Sequence, residues 1–234
     1  MPELVSFSLT GGREVNEDTV LTFSGDGRII AVVADGLGGL GGGDVASQAA
    51  ASAAMNVLKG TDAPPEKALR KAMERANTAV LACQAEKQGK MMSTIAMAVL
   101  KGHRAWTATL GDTRVYRFSG GRLQGCSHDD SVPQALADQG EITREEMRGH
   151  ESRNLLTRCL GRFETPEAEV LHAWRWKSTR LLLCSDGFWE YFPDAELEEE
   201  MSRGRADEIL ERLKSKVLER MKQDGDNCSA VLIG

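Results

Sequence analysis

Apolar and polar positions along the chain follow two periods that alternate in blocks. Residues 4–9, 19–24 and 28–34 read as β runs. The third, R-I-I-A-V-V-A, is almost wholly aliphatic, the pattern of a strand covered on both faces. Over 44–58 the period lengthens, with Val45, Ala49, Ala53 and Val57 at helical spacing. Pro64 and Pro65 suit the start of a second helix that runs to about Lys87, with Leu69, Met73, Ala76 and Val80 as its apolar stripe. Strand patterns return over 94–100, 104–109, 114–118 and 122–126, separated by K-G-H, L-G-D and S-G-G turns. Residues 131–150 are polar and predicted helical in two pieces. Strands follow over 168–174 and 180–184, helices over 194–201 and 206–221, and a last strand over 228–233.

Neighbouring strands joined by short turns imply antiparallel pairing rather than a regular βαβ alternation. Two helices inserted between hairpin sets imply helices packed on the outer faces of stacked sheets. The 234 residues show no repeat and no low-complexity linker, so they read as a single domain, 1–234.

Composition removes several classes. Hydrophobic residues are 41% and charged residues 27%, which excludes a largely disordered chain. The net charge of −6 leaves no electrostatic footprint for nucleic acid. No run of 18 apolar residues is present, so no membrane span is expected, and the start lacks a secretory pattern. Five scattered cysteines, none in C-x-x-C, fit reduced thiols in a cytoplasmic protein. The four histidines form no cluster that would suit structural zinc.

Two segments share a design that carries chemistry. I-I-A-V-V-A-D-G-L leads an apolar run into Asp35-Gly36, and L-L-L-C-S-D-G-F leads another into Asp186-Gly187. A carboxylate at the end of such a run sits at the rim of a core, where an unpaired charge is costly. An arginine, a lysine or a metal must neutralise it. Either D-G alone also reads as a plain turn. Further acids lie beside β runs: Glu17 and Asp18 in N-E-D, Asp112 in L-G-D-T-R, and Asp226 in G-D-N-C-S. Several oxygen ligands without nearby histidine or thiolate suit Mg²⁺ or Mn²⁺. Two such ions can activate water and stabilise in-line displacement at phosphorus. Arg13, close to these acids in R-E-V-N-E-D, offers a planar fork for a phosphate or is a solvated surface group.

In this order the motifs resemble the metal-dependent protein Ser/Thr phosphatases, the PPM or type 2C family, in a compact bacterial form. R-E-V-N-E-D (13–18), V-A-D-G-L-G-G (33–39), M-S-T-I-A-M-A-V-L (92–100), L-G-D-T-R-V-Y-R (110–117), L-L-L-C-S-D-G-F-W (181–189) and D-N-C-S-A-V-L-I (226–233) carry the resemblance from near residue 8 onward. It implies an α+β fold, a four-layer α-β-β-α sandwich of two antiparallel sheets. It implies a dinuclear Mn²⁺ or Mg²⁺ centre and hydrolysis of phosphoserine or phosphothreonine by direct attack of a bridging hydroxide. Asp35 would bridge both ions, the Gly36 carbonyl would ligate one, and Asp186 and Asp226 the other. Glu17 and Asp18 would bind through water, Asp112 would serve a third, weaker ion, and Arg13 would hold the substrate phosphate. The expected partners are a phosphorylated protein and an opposing Ser/Thr kinase, with the phosphatase a monomer.

The chain departs from the family pattern at Leu37, where many members have a histidine, and at Met92, where they have glycine. Asp130 stands in another histidine slot, with His128 nearby. Residues 131–163 would form the flap beside the site. A pseudophosphatase that binds phosphoproteins without turnover is the alternative, and a phosphodiesterase or nuclease a third class. G-L-G-G-L-G (36–41) also formally satisfies a dinucleotide fingerprint, with Asp62 downstream, but no apolar strand leads into Asp62.

Overall fold

The computed structural model describes residues 2–38, 41–166 and 179–234, and the backbone of 169–175. In chain order the elements are β1 (Leu4–Leu9), β2 (Asp18–Gly25), β3 (Arg28–Leu37), α1 (Gly43–Lys59), α2 (Pro65–Lys87), β4 (Met92–Ser93), β5 (Ile95–Lys101), β6 (Arg104–Leu110), β7 (Arg114–Ser119), β8 (Arg122–Cys126), α3 (Val132–Asp138), a 3₁₀ turn at Glu146–Gly149, β9 (Glu169–Arg175), β10 (Thr179–Cys184), α4 (Asp186–Trp189), α5 (Asp194–Met201), α6 (Ala206–Arg220) and β11 (Cys228–Ile233). One sheet runs β1-β11-β10-β7-β8 and the other β2-β3-β5-β6-β9, with β4 added beside β3. Every pairing is antiparallel. That excludes the parallel sheet that a dinucleotide site after β3 would need.

Side-chain alternation builds the layers. In β3, Ile29, Ala31 and Val33 enter the core between the sheets, while Ile30, Val32 and Ala34 face α1 and α2. Leu181 and Leu183 of β10 and Val231 and Ile233 of β11 meet them across the same middle layer. Leu182, Cys184, Ala230 and Leu232 turn outward to α4, α5 and α6. Small residues bring α1 close to α2 and β3: Ala46, Ala50, Ala51 and Ala54 are all buried on that face. The result is the α-β-β-α sandwich.

Three expectations change. β3 continues through Asp35 to Leu37, because β4 supplies partners at Gly36↔Ser93 and Leu37↔Met92. The run 94–100 begins as a named strand only at Ile95; Thr94 turns its N–H to the Asp35 carbonyl at 2.8 Å. The single turn of α4 directly after β10 has too few residues for a periodic signal. Ala168, Gly39 and Leu40, which belonged to the expected strand and motifs, lie outside the described residues.

The antiparallel registers place one set of strand ends together. Leu9↔Cys228 and Cys184↔Arg114 close one sheet, and Asp18↔Asp35 and Ile95↔Leu110 close the other. The segments 10–17, 111–113, 185–186 and 226–227 all leave from this end. It is the end that holds the sequence-predicted acids.

Candidate active site

Asp35 has the parity of Ile29, Ala31 and Val33, so its carboxylate points into the space between the sheets. Asp18 is its direct partner on β2 and shares that face. Ser185, at the end of β10, donates its hydroxyl to Asp18 Oδ2 at 2.8 Å across the gap between sheets. The other oxygen, Asp18 Oδ1, is buried without a hydrogen-bond partner among the described residues. Asp186 follows Ser185, close enough for its charge to act on Asp35.

These carboxylates raise one another's pKa. Burial pushes Asp35 well above the ordinary range, and the charges of Asp18, Asp186, Asp112 and Asp226 add to it. Burial likewise lifts Asp186 to about 7, with Glu190, Asp226 and Asp18 adding to the shift. Asp18 rises to about 6 by burial, partly offset by the neighbouring Ser229 and Ser185 hydroxyls. Asp112 is driven well up by burial and by Asp186. Burial also raises Glu17, opposed by the Gly43 N–H, which donates to Glu17 Oε1 at 3.1 Å.

This chemistry fits divalent cations. The donors are all oxygens, and the lone Asp18 oxygen lacks the positive partner that its burial demands. Gly36 has no side chain at a point where a Cβ would lie 2.0 Å from the Gly43 carbonyl oxygen, so β3 and the start of α1 stay in close approach beside Glu17. Among the described residues no three or more ligating side chains are gathered into a metal-holding group; the acids reach the same end of the sandwich from separate segments.

The β6–β7 turn brings Asp112 to the same end. Gly111 adopts φ +98°, and a Cβ there would strike the Thr94 side chain, so glycine is required. Asp130 braces the turn: its Oδ2 accepts the Gly111 N–H at 3.0 Å, while Arg158 Nε donates to its Oδ1 at 2.8 Å. That is what Asp130 does in the slot where the family pattern has histidine. His128 is half exposed and bonded to Asp138 on the surface. Below the turn, buried Arg114 makes a forked ion pair with Asp129. The Arg114 guanidinium stacks 3.5 Å from the Trp189 ring, and Trp189 Nε1 donates to the Asp112 carbonyl at 2.9 Å.

Arg13 lies on the exposed segment between β1 and β2, with Nη2 at 2.9 Å from Asp226 Oδ2. It therefore stands at the acidic end, paired with one of the acids. The structure brings together Glu17, Asp18, Asp35, Gly36, Asp112, Asp186, Asp226 and Arg13. The two departures from the family pattern also meet: Leu37 and Met92 are cross-strand partners, and Cys159 Sγ lies 3.5 Å from Met92 Sδ. Leu37 and Met92 thus form an apolar wall beside Gly36. Sequence reasoning missed Ser185, Glu190, Asn227, Asp129 and Trp189. The Ser, Asn and Trp stand inside motifs already quoted, but their roles depend on partners from 75 to 217 residues away.

Comparison with known proteins places the chain as a whole. The family model "Protein phosphatase 2C" matches residues 11–224, so Asp226 lies just past the matched range. The serine/threonine phosphatase stp of Listeria monocytogenes is 33% identical over 195 residues, covering 80% of this chain and 77% of the relative. The crystal structure of serine/threonine phosphatase Stp1 from Staphylococcus aureus superposes with a TM-score of 0.91 at 25% identity, covering 100% of this chain and 95% of that one. A structure of the catalytic domain of the phosphatase PstP in complex with 2 manganese ions has a TM-score of 0.84 at 27% identity, covering 99% of this chain and 97% of that one.

Proposed function

The chain belongs to the protein phosphatase 2C family and is a protein serine/threonine phosphatase; on that premise we propose that the acidic end of its sandwich is where phosphoserine and phosphothreonine are hydrolysed with divalent cations. Asp35, the Gly36 carbonyl, Asp186 and Asp226 would hold two Mn²⁺ or Mg²⁺ ions. Glu17 and Asp18 would act through water, and Asp112 at a third, weaker position. When bound, such ions supply Lewis-acid activation of water and neutralisation of phosphate charge.

The protein's own groups do the rest. Asp35 is fixed by its strand pairing, and Asp18 by Ser185, so neither needs to reorganise as a substrate arrives. Arg13 would exchange its exposed contact with Asp226 for a substrate phosphate, presenting two parallel N–H donors. Leu37 carries no proton, so the leaving alkoxide must be protonated from solvent or another group. Its apolar pair with Met92 offers no hydrogen bond on that side of Gly36. A phosphorylated protein is the substrate, and a Ser/Thr kinase in the same cell would be the opposing partner.

The convergence of Asp18, Asp35 and Asp186 around an unpartnered buried oxygen carries this reading. Calorimetric titration with Mn²⁺ tests it. Wild-type protein should bind at least two ions, and Asp186→Asn should lose binding together with turnover. Full metal binding by Asp186→Asn would remove that residue from the site.

A further inference from the structure

Asn227 is buried, with 5% exposure, and its carboxamide is fully engaged with one short segment. Its Oδ1 accepts the Glu17 N–H at 2.8 Å. Its Nδ2 donates to the Thr10 carbonyl at 2.7 Å and to the Val15 carbonyl at 3.1 Å. One side chain therefore fastens both ends of the segment between β1 and β2, whose exposed middle carries Arg13. No strand ladder covers residues 10–17. Around Arg13 the further ties run to the residues just before Asn227: Gly12 N–H donates to the Gly225 carbonyl at 2.8 Å, and Arg13 reaches Asp226. At the β2 end, Asn16 Nδ2 also donates to Ser8 Oγ at 2.8 Å, and the Gly36 N–H donates to the Glu17 carbonyl at 3.1 Å.

The chemistry of the amide matters here. Only a carboxamide can accept from one backbone N–H and donate to two carbonyls with the same planar group. A carboxylate of the same shape would face two carbonyl oxygens with no proton to offer. Hydrogen bonds at three points on an otherwise exposed loop restrict where its tip can sit.

We propose that Asn227 is a positioning residue for phosphate binding, which sets the place of Arg13 by fixing the backbone on either side of it. The inference rests on the reading of Arg13 as the phosphate-binding group. Asn227 does not touch substrate; it acts through Arg13, and its loss should appear in substrate affinity ahead of turnover.

Steady-state hydrolysis of p-nitrophenyl phosphate at saturating Mn²⁺ tests this with Asn227→Asp, Arg13→Ala, the double variant and Gly12→Ala. Melting temperature and amide hydrogen exchange are followed in parallel. Asn227→Asp should raise KM roughly tenfold, with a smaller change in kcat. The double variant should raise KM no further than Arg13→Ala alone, because a displaced arginine and an absent one are equivalent. Exchange should accelerate at the Glu17 amide while the sheet amides keep their protection. Gly12→Ala leaves Asn227 intact, but its Cβ would lie 1.9 Å from the Gln223 carbonyl oxygen and push the loop away. It should reproduce the raised KM, and it decides the matter if Asn227→Asp does not fold. A raised KM in Arg13→Ala with wild-type KM in Asn227→Asp and Gly12→Ala overturns the inference alone, as do effects that multiply in the double variant. An unchanged KM in Arg13→Ala overturns the reading of Arg13 itself, and the inference falls with it.

Discussion

Asp18 and Asp35 stand directly opposite each other in the β2–β3 ladder, with both carboxylates on the face between the two sheets. Like charges in that relationship repel and destabilise a sheet. A fold that keeps them there trades stability for a site that attracts cations. In metal-free protein, Asp35→Asn should therefore stabilise the fold by on the order of 1 kcal/mol, a rise in Tm of about 2–4 °C for a chain of this size. The same substitution should abolish turnover. Thermal melts in EDTA check the first half; a lower Tm than wild type would show that Asp35 has a structural partner instead.

The direction of pH dependence follows from the same acids. Burial and mutual repulsion hold Asp18 at about 6 and Asp186 at about 7 in the folded protein, against 3.8 when free. Between those values the folded chain keeps protons that the unfolded chain has released. Stability of the metal-free protein should then fall as pH rises from about 4 to about 7. Divalent cations replace those protons, so added Mn²⁺ should stabilise the protein more at pH 8 than at pH 5. Melting curves across pH with EDTA or Mn²⁺ measure both; a metal-free Tm that climbs over this window would be incompatible with these shifts.

Arg13 and Asp226 are both well exposed, at 54% and 40%. Their ion pair contributes little to stability. Arg13→Ala should accordingly leave Tm nearly unchanged while raising KM for aryl phosphates and phosphopeptides. A fall in kcat with unchanged KM would argue against a phosphate-binding role.

The Arg114–Asp129 pair is the opposite case, with both side chains almost fully buried. Removing Arg114 leaves a buried carboxylate uncompensated and releases Trp189 from its stack. Arg114→Met should cost roughly 3–5 kcal/mol in denaturant unfolding. Trp189→Phe is gentler: it keeps a ring over Arg114 but deletes the N–H that holds the Asp112 carbonyl. It should lower turnover in the same direction as Asp112→Ala, with two ions still bound. Unchanged kinetics in Trp189→Phe would show that this bond does not position the turn.

Much of this was legible along the chain. The aliphatic runs before Asp35 and Asp186 marked strands covered on both faces, and the glycine turns marked antiparallel hairpins. Periodicity located α1, α2 and α6 because each has a long buried stripe. What could not be read depends on contacts between distant segments. β3 outlasts its aliphatic run because Met92 and Ser93 pair with its end. α4 is a single turn held by its packing through Phe188 and Trp189. The acids were recognisable by motif, but the Ser185, Asn227 and Trp189 hydrogen bonds that hold them span the sandwich. Leu37 and Met92 looked like two unrelated departures, and the ladder makes them one pair.

The most direct measurement is phosphate release from a phosphothreonine peptide by wild type and Asp35→Asn, each with Mn²⁺, Mg²⁺ or EDTA, alongside circular dichroism to verify folding. Wild type should release phosphate only with a divalent cation, and Asp35→Asn should be inactive in every condition while remaining folded. Phosphate release by wild type in EDTA, or undiminished release by Asp35→Asn, would contradict a cation-dependent site built around Asp35.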